Sequence, residues 1–387
     1  MTPPIVVQVV VDKPLAQGFD YLWDELALGG QPEVGTIVEV PFGRTLLVGM
    51  VIKVSAHSDF DINKLKGVTR VAPLPPLDPA VLRLMNFASQ YYIHALGETI
   101  IPTIPQMWKK PDDWEKIPKK LTADAEKKKK KNESGSSEGF IDESSLNAGQ
   151  KSALERLRVL SANQFKAILL QGQTGSGKTA VFLNWLSGIL ENEDAQVLLL
   201  VPEINLTPQL ERRVRAYFPN KKMVVLHSGI SEKKRGIAWY EAVTGKAQII
   251  LGTRLAALTP LPNLRAIVVD EEHDPSYKQQ DGIRYSARDL AVWRAHDLKI
   301  PILLSSATPS LETWLAAKSG RYQDIRLDQR SQGAGLPIVH LINTRDPQNQ
   351  FSPGDVDRPV AKISLSKPLV NAIKKNLQNK KPKHSLY

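Results

Sequence analysis

Gly172-Gln173-Thr174-Gly175-Ser176-Gly177-Lys178-Thr179 decides how the rest of this chain is read. It fits the phosphate-loop spacing G-x-x-x-x-G-K-[ST], follows the apolar run 167–170, and leads into the helix-like run 180–186. A buried strand, a glycine-rich turn and a helix therefore succeed one another. Glycines let the backbone wrap a triphosphate, so that successive N–H groups and a helix N-terminus face negative charge. In that geometry Lys178 reaches the β- and γ-phosphates and Thr179 offers its hydroxyl to Mg²⁺. The stretch predicts a nucleoside triphosphate site made by Gly172, Gln173, Thr174, Gly175, Ser176, Gly177, Lys178 and Thr179.

Outward from this loop, short apolar runs at 167–170, 196–201, 223–227, 248–251, 264–270 and 300–305 alternate with amphipathic stretches. That alternation, held from 146 to 327, is the pattern of an open parallel α/β sheet. The fifth run ends in Asp270-Glu271-Glu272-His273. A carboxylate at the C-terminal end of a strand beside a phosphate loop suits a metal ligand, so Asp270 is expected to share Mg²⁺ with Thr179. Glu271, one residue on, is placed to polarise water as a general base. A solvated acid cluster capping the next helix is the competing reading. The sixth run closes on Ser305-Ser306-Ala307-Thr308-Pro309, which suits either turn chemistry or a link from nucleotide to nucleic acid.

Residues 1–75 are β-rich, with strand-like runs at 5–11, 36–42 and 47–55 and a hairpin between the last two. A proline-rich break at 73–79 carries Asp78 as a candidate N-cap for a helix over 80–94. Residues 109–145 turn polar and low in complexity, and residues 331–359 are crowded with Gly, Pro, Asn and Asp before one last helix at 368–377. The composition, 42% hydrophobic and 24% charged, is that of an ordinary globular chain. With no cysteine, disulfides and thiolate metal sites are excluded. Apolar runs are too short to cross a bilayer and no secretory signal is evident, so a cytoplasmic protein with no membrane partner is expected. The net charge of +11 is unevenly spread. Residues 109–131 carry ten lysines against five acids, and 358–387 carry eight Lys or Arg and no acid, which leaves the remainder near neutral. Charge alone indicates two basic segments and nothing more specific.

The order of the motifs says more. Loop 172–179 is followed by Pro202-Glu203-Ile204-Asn205-Leu206-Thr207-Pro208-Gln209, His227-Ser228-Gly229, Gly252-Thr253-Arg254, Asp270-Glu271-Glu272-His273 and Ser306-Ala307-Thr308. This order resembles that of superfamily-2 helicases, and the chain is similar in particular to the bacterial primosomal replication-restart helicases. The discriminating stretch runs from Asp270 to Gln280, with Arg284-Tyr285 and Ala287-Arg288-Asp289-Leu290. It looks like the family's aromatic-rich loop, which couples single-stranded DNA contact to ATP hydrolysis, although Ile283 stands where the family usually has tryptophan. The resemblance implies nucleic-acid contacts from Tyr277, Lys278, Arg284 and Tyr285, since aromatic faces stack on bases without regard to sequence. Tyr277 and Tyr285 suit a packed core equally well.

Leu146-Asn147-Ala148-Gly149-Gln150 is similar to the family's adenine-reading segment, implying that Gln150 reads the base, with Gly149 replacing the usual acid. Pro14-Leu15, Phe19-Asp20-Tyr21-Leu22 and Val40-Pro41-Phe42-Gly43 resemble its 3′-end-binding domain, implying that Phe19, Asp20, Gly43 and Lys66 grip a free 3′ end. A core Phe19 and a mere turn at Gly43 remain the alternative. The fold so implied is α/β: a RecA-like parallel-sheet lobe with helices on both faces, preceded by a small β-rich, OB-like domain. Its expected divisions are a DNA 3′-end-binding domain at 1–105, a basic linker at 106–145, the first helicase lobe at 146–330 and an irregular basic tail at 331–387.

The resemblance further implies ATP and Mg²⁺ as cofactors. Branched and single-stranded DNA, primosome proteins and single-stranded-DNA-binding protein are the implied partners. The implied activity is ATP-driven 3′→5′ unwinding with primosome assembly at stalled forks. Residues 109–145 are too few and too polar for the family's winged-helix domain. Near Tyr387 the family would begin its second lobe and then its cysteine-rich zinc modules; both are lacking here, so the family's zinc has no ligands in this chain. The alternative is a chain that binds fork DNA and ATP without translocating.

Overall fold

The computed structural model describes residues 4–117, 145–162, 164–327, 339–350 and 366–378. They belong to two units, 1–332 and 333–387.

The first unit begins with an antiparallel sheet of β1 (Ile5–Val11), β2 (Phe19–Trp23), β3 (Ile37–Phe42), β4 (Thr45–Ser55) and β5 (Arg70–Val71), ordered β2-β1-β4-β3-β5. Alternation along β1 puts Val7, Val9 and Val11 into a core with Tyr21, Trp23, Val38, Val40 and Val51. The backbone N–H of Leu22 donates to Lys66 O at 2.9 Å, and that of Val68 donates to Leu22 O at 3.0 Å. These bonds tie edge strand β2 to the segment entering β5, so the sheet closes into a small barrel and hides its edges. The expected hairpin is the β3–β4 connection, whose register pairs Phe42 with Thr45.

Helix α1 (Pro79–Tyr91) starts as the sequence predicts: Asp78 accepts from Ala80 N at 2.6 Å and proline occupies the first turn. It stops short of the expected His94 because Ile93 is left-handed, with φ +52. Leu84, Met85 and Ala88 of α1 are buried and share one core with the second sheet of this unit.

The linker expectation needs correction over its first dozen residues. Trp108, Trp114 and Ile117 are buried, and Trp108 Nε1 donates to Gly236 O at 3.2 Å. Two indoles and an isoleucine bury more apolar area than the neighbouring lysines can oppose, because lysine stems reach solvent from a packed backbone. The lysine run 127–131 lies outside the described residues.

The second sheet has seven parallel strands: β6 (Ala167–Gly172), β7 (Gln196–Leu200), β8 (Met223–Leu226), β9 (Ile249–Gly252), β10 (Leu264–Asp270), β11 (Ile302–Ser306) and β12 (Gln323–Leu327). Their order is β12-β6-β11-β10-β7-β9-β8. Period-two alternation divides each strand between two cores. Ile168, Leu170, Leu199, Val268 and Leu303 pack under α2 (Ala148–Leu160) and α3 (Lys178–Ile189). Leu169, Leu198, Leu200, Ile267 and Leu304 face α5 (Glu232–Val243) and α6 (Ala287–Leu298) on the other side. A further helix, α4 (Pro208–Tyr217), adds Val214 to the first core. Each such aliphatic side chain contributes roughly 1.5–3 kcal/mol when fully buried, so both faces are strongly held. Helix α7 (Leu311–Lys318) connects β11 to β12.

In the second unit, α8 (Lys367–Gln378) matches the helix expected near the end. Among the described residues no helix is long and apolar enough to cross a membrane.

Candidate functional site

Parallel register brings the expected nucleotide residues together. Asp270 pairs with Ser305 of β11, and Ser305 pairs with Leu170 of β6, so the three strands run out within two residues of one row. The glycine loop leaves β6 just beyond that row. A Cβ on Gly172 would meet Ser176 Oγ at 2.5 Å and Leu327 Cβ at 3.1 Å, so any larger residue there would have to displace Ser176. Gly175 and Gly177 have φ +81 and +85, a region that costs other residues about 1–2 kcal/mol. No side chain caps α3, an arrangement that offers its first N–H groups to an anion.

Lys178 is buried, with Nζ 2.7 Å from Gly172 O and 4.0 Å from Glu271 Oε1. The Asp270 carboxylate accepts from Ser305 Oγ at 2.8 Å. Desolvation raises its pKa above the ordinary aspartate range, while the Ser305 hydrogen bond and the Lys178 charge pull the other way. Glu271 holds φ +45, a strained value for a residue with a side chain, and such strain concentrates at working sites. Its Oε2 lies 3.7 Å from His273 Nδ1, which in turn lies 2.8 Å from Ser306 Oγ. The acid-rich turn and the end of β11 are thus one polar cluster.

Glu272 is fully enclosed. It accepts from Ser310 N at 2.7 Å, Thr313 Oγ1 at 2.9 Å and Arg288 Nη1 at 3.1 Å, which locks the turn to α7 and α6. No sequence signal separated this buried acid from its neighbours.

These residues fit a magnesium-bound triphosphate. Ser176 Oγ is buried without a partner among the described residues, and no atom lies within 4 Å of a Cβ built on Gly175. A hydroxyl donor, a lysine and room beside the loop suit an anion. Mg²⁺ needs only one or two protein oxygens, phosphate and water completing its shell, so Thr179 and Asp270 would suffice to hold it. Among the described residues no cluster of three or more His, Cys, Asp or Glu side chains is arranged for a metal.

Three expected roles do not match the structure. Gln150 is buried: its Nε2 donates to Ser176 O at 2.9 Å and its Oε1 accepts from Asn147 N at 3.0 Å. The amide expected to read adenine is engaged in bracing the loop and capping α2. Tyr277 and Tyr285 are core residues, each 3% exposed, so neither offers a ring face for stacking. Their hydroxyls donate to Asp270 O at 2.6 Å and Arg254 O at 3.4 Å, which satisfies the polar end of each buried ring. Lys278 and Arg284, by contrast, are exposed.

At the barrel rim the four expected 3′-end residues are neighbours. Phe19 meets Phe42 edge to face at 5.3 Å, Gly43 has φ +60, and Lys66 Nζ donates to Gly43 O at 3.1 Å. Asp20 accepts from Ser58 Oγ at 2.6 Å. Ser58 joins this group unannounced by any motif, because the barrel alone brings it there.

The parallel sheet and its glycine loop are the architecture of a helicase-type lobe. Residues 147–315 match the DEAD/DEAH box helicase domain, and residues 8–105 match the 3′ DNA-binding domain (3′BD) of PriA. The chain is 33% identical to the replication restart protein PriA of Haemophilus influenzae, over 96% of this chain and 57% of that protein. It is 32% identical to PriA of Rickettsia felis, over 90% of this chain and 48% of that protein. A solved structure of RecG bound to a three-way DNA junction aligns with 66% of this chain and 30% of its own at 20% identity and a TM-score of 0.38. The chain belongs to the PriA replication-restart helicase family and spans about half the length of the curated relatives it matches. Its helicase domain implies use of ATP and Mg²⁺.

Proposed function

We propose that this chain is the fork-recognising and ATP-binding portion of a 3′→5′ replication-restart helicase. Residues 1–105 recognise the free 3′ end of a branched fork through Phe19, Asp20, Gly43 and Lys66. Residues 146–330 bind Mg-ATP through loop 172–179, with Asp270 and Thr179 on the metal. Lys178 neutralises the phosphates and Glu271 takes a proton from the attacking water. Magnesium, when bound, neutralises charge on the transferred phosphoryl group. Primosome proteins and single-stranded-DNA-binding protein are the partners this reading carries over from the family.

The observation that supports it best is the shared row of Asp270, Ser305 and Leu170, which sets Glu271 within 4.0 Å of Lys178. Equilibrium binding of Mg-ATP, followed by ATP turnover with and without single-stranded DNA, tests it. Lys178→Ala should weaken Mg-ATP binding about 10–100-fold, the worth of a charged hydrogen bond. An unchanged affinity would remove the nucleotide site. Tight binding of both ligands with no DNA-stimulated turnover would make this chain a binding module.

A further inference from the structure

Tyr92 lies just past α1, inside the segment that matches the 3′ DNA-binding domain, yet its polar contacts belong to the helicase lobe. Its phenol oxygen accepts from Ser286 N at 3.0 Å, and Lys278 Nζ sits 5.2 Å from its ring centroid. Lys278 and Ser286 form an antiparallel bridge with each other, so Tyr92 braces the neck of the loop 278–286. At the near end of that neck, Tyr277 donates to the backbone carbonyl of Asp270. Arg254 donates to Ser276 O at 3.3 Å and fixes the same turn from the other side. A continuous bonded path therefore runs from the 3′-end-binding domain to the metal-ligand candidate.

The residue after Tyr92 supports a special role for this turn. Ile93 is β-branched and left-handed, yet 93% exposed, so its own packing does not explain its conformation. Bonds from His94 N to Ser89 O at 2.9 Å and from Ser89 Oγ to His94 O at 2.6 Å hold the turn shut. The effect is to set the Tyr92 ring against the loop neck.

We propose that Tyr92 is a positioning residue that couples DNA engagement to Mg-nucleotide binding. A DNA phosphate that draws Lys278 off the Tyr92 ring changes the bracing of the neck and, through Tyr277, the seat of Asp270. Linkage requires the reverse effect of nucleotide on DNA affinity to be equal. The proposal rests on the nucleotide and DNA sites put forward above.

The experiment uses the whole chain and measures the Kd of a fluorescent ATP analogue with Mg²⁺, alone and with saturating single-stranded oligonucleotide. In the parent, DNA should change the nucleotide Kd about 5–150-fold, the usual span of coupling between sites. Tyr92→Phe removes the acceptor oxygen and keeps the ring. It should leave each ligand's own Kd and the melting temperature nearly unchanged while bringing the coupling ratio close to one. Tyr92→Ala, which also removes the platform for Lys278, should abolish the ratio. A Tyr92→Phe ratio equal to the parent's would overturn the proposal, as would a parent that binds both ligands independently. Equal losses of stability and of both affinities would also overturn it, by showing a purely structural tyrosine. A parent that binds no Mg-nucleotide would instead defeat the nucleotide-site reading, and the coupling with it.

Discussion

At the end of the parallel sheet, the groups facing the expected phosphate are backbone N–H groups, the buried Lys178 and the inward carboxylate of Asp270, all set by strand register and by glycines with positive φ. At the barrel rim, the groups facing the expected 3′ end are side chains that hold one another: Phe19 is 37% exposed against Phe42, Lys66 rests on Gly43 O, and Asp20 rests on Ser58. The first arrangement is preorganised and stores unfavourable energy in the absence of ligand. The second is relaxed, its polar groups satisfied until a ligand displaces their partners. Preorganisation favours transition-state charge stabilisation, whereas exchangeable contacts favour reversible recognition.

Three measurements would break or sharpen that contrast. The largest effect is expected at Glu272, whose removal leaves Arg288, Ser310 and Thr313 without their shared acceptor. Glu272→Ala should destabilise the chain by about 3 kcal/mol in denaturant unfolding, as for one partner lost from a buried ion pair. A change within 0.5 kcal/mol, the noise of surface substitutions, would mean that the sheet rim is not rigid in the sense argued here.

Next, Phe19→Ala should weaken binding of an oligonucleotide with a free 3′-hydroxyl by about 1–3 kcal/mol, the worth of one stacked base. An oligonucleotide with a blocked 3′ end should lose far less. Equal losses for both would make Phe19 a general DNA contact.

The smallest effect concerns Asp270. Because burial raises its pKa, the folded protein holds that proton more tightly than the unfolded chain does. Folding stability contributed by this group is therefore lost as pH rises from the ordinary aspartate range through its raised one. Asp270→Asn should stabilise the ligand-free chain by about 0.5–2 kcal/mol at neutral pH, in the range of substitutions that relieve a strained site. The advantage should shrink as the solution is acidified, and Mg-ATP should no longer raise the melting temperature. A variant equal to the parent at every pH would show that the carboxylate carries no desolvation cost.

The contrast also explains what could be seen in advance. Loop 172–179 and the acids at 270–273 are contiguous in sequence and sit at strand ends, so their placement could be read from spacing. Strands with unbroken apolar runs were equally plain. β12, with Asp324 and Arg326 in five residues at a sheet edge, was not, because edge strands need little apolar surface. Tyr277 and Tyr285 are buried in one core with residues of α1 and with Ala256, Ala257 and Leu258, which no local pattern encodes. Gln150 shows the same limit, since its capping bond is local but its bond to Ser176 spans 26 residues. The packed Trp108 and Trp114 were hidden among lysines, where composition outweighed two indoles.

The hydrophobic contacts that join α1 to the parallel sheet bear on how this protein can be dissected. Leu84, Met85 and Ala88 form one wall of the sheet's own interior, and Trp108 is bonded to α5. Severing the chain between α1 and α2 would therefore strip the parallel sheet of part of its inner lining. Expressed by itself, the parallel-sheet half would start life with a sticky open flank, and the two halves should melt as one body.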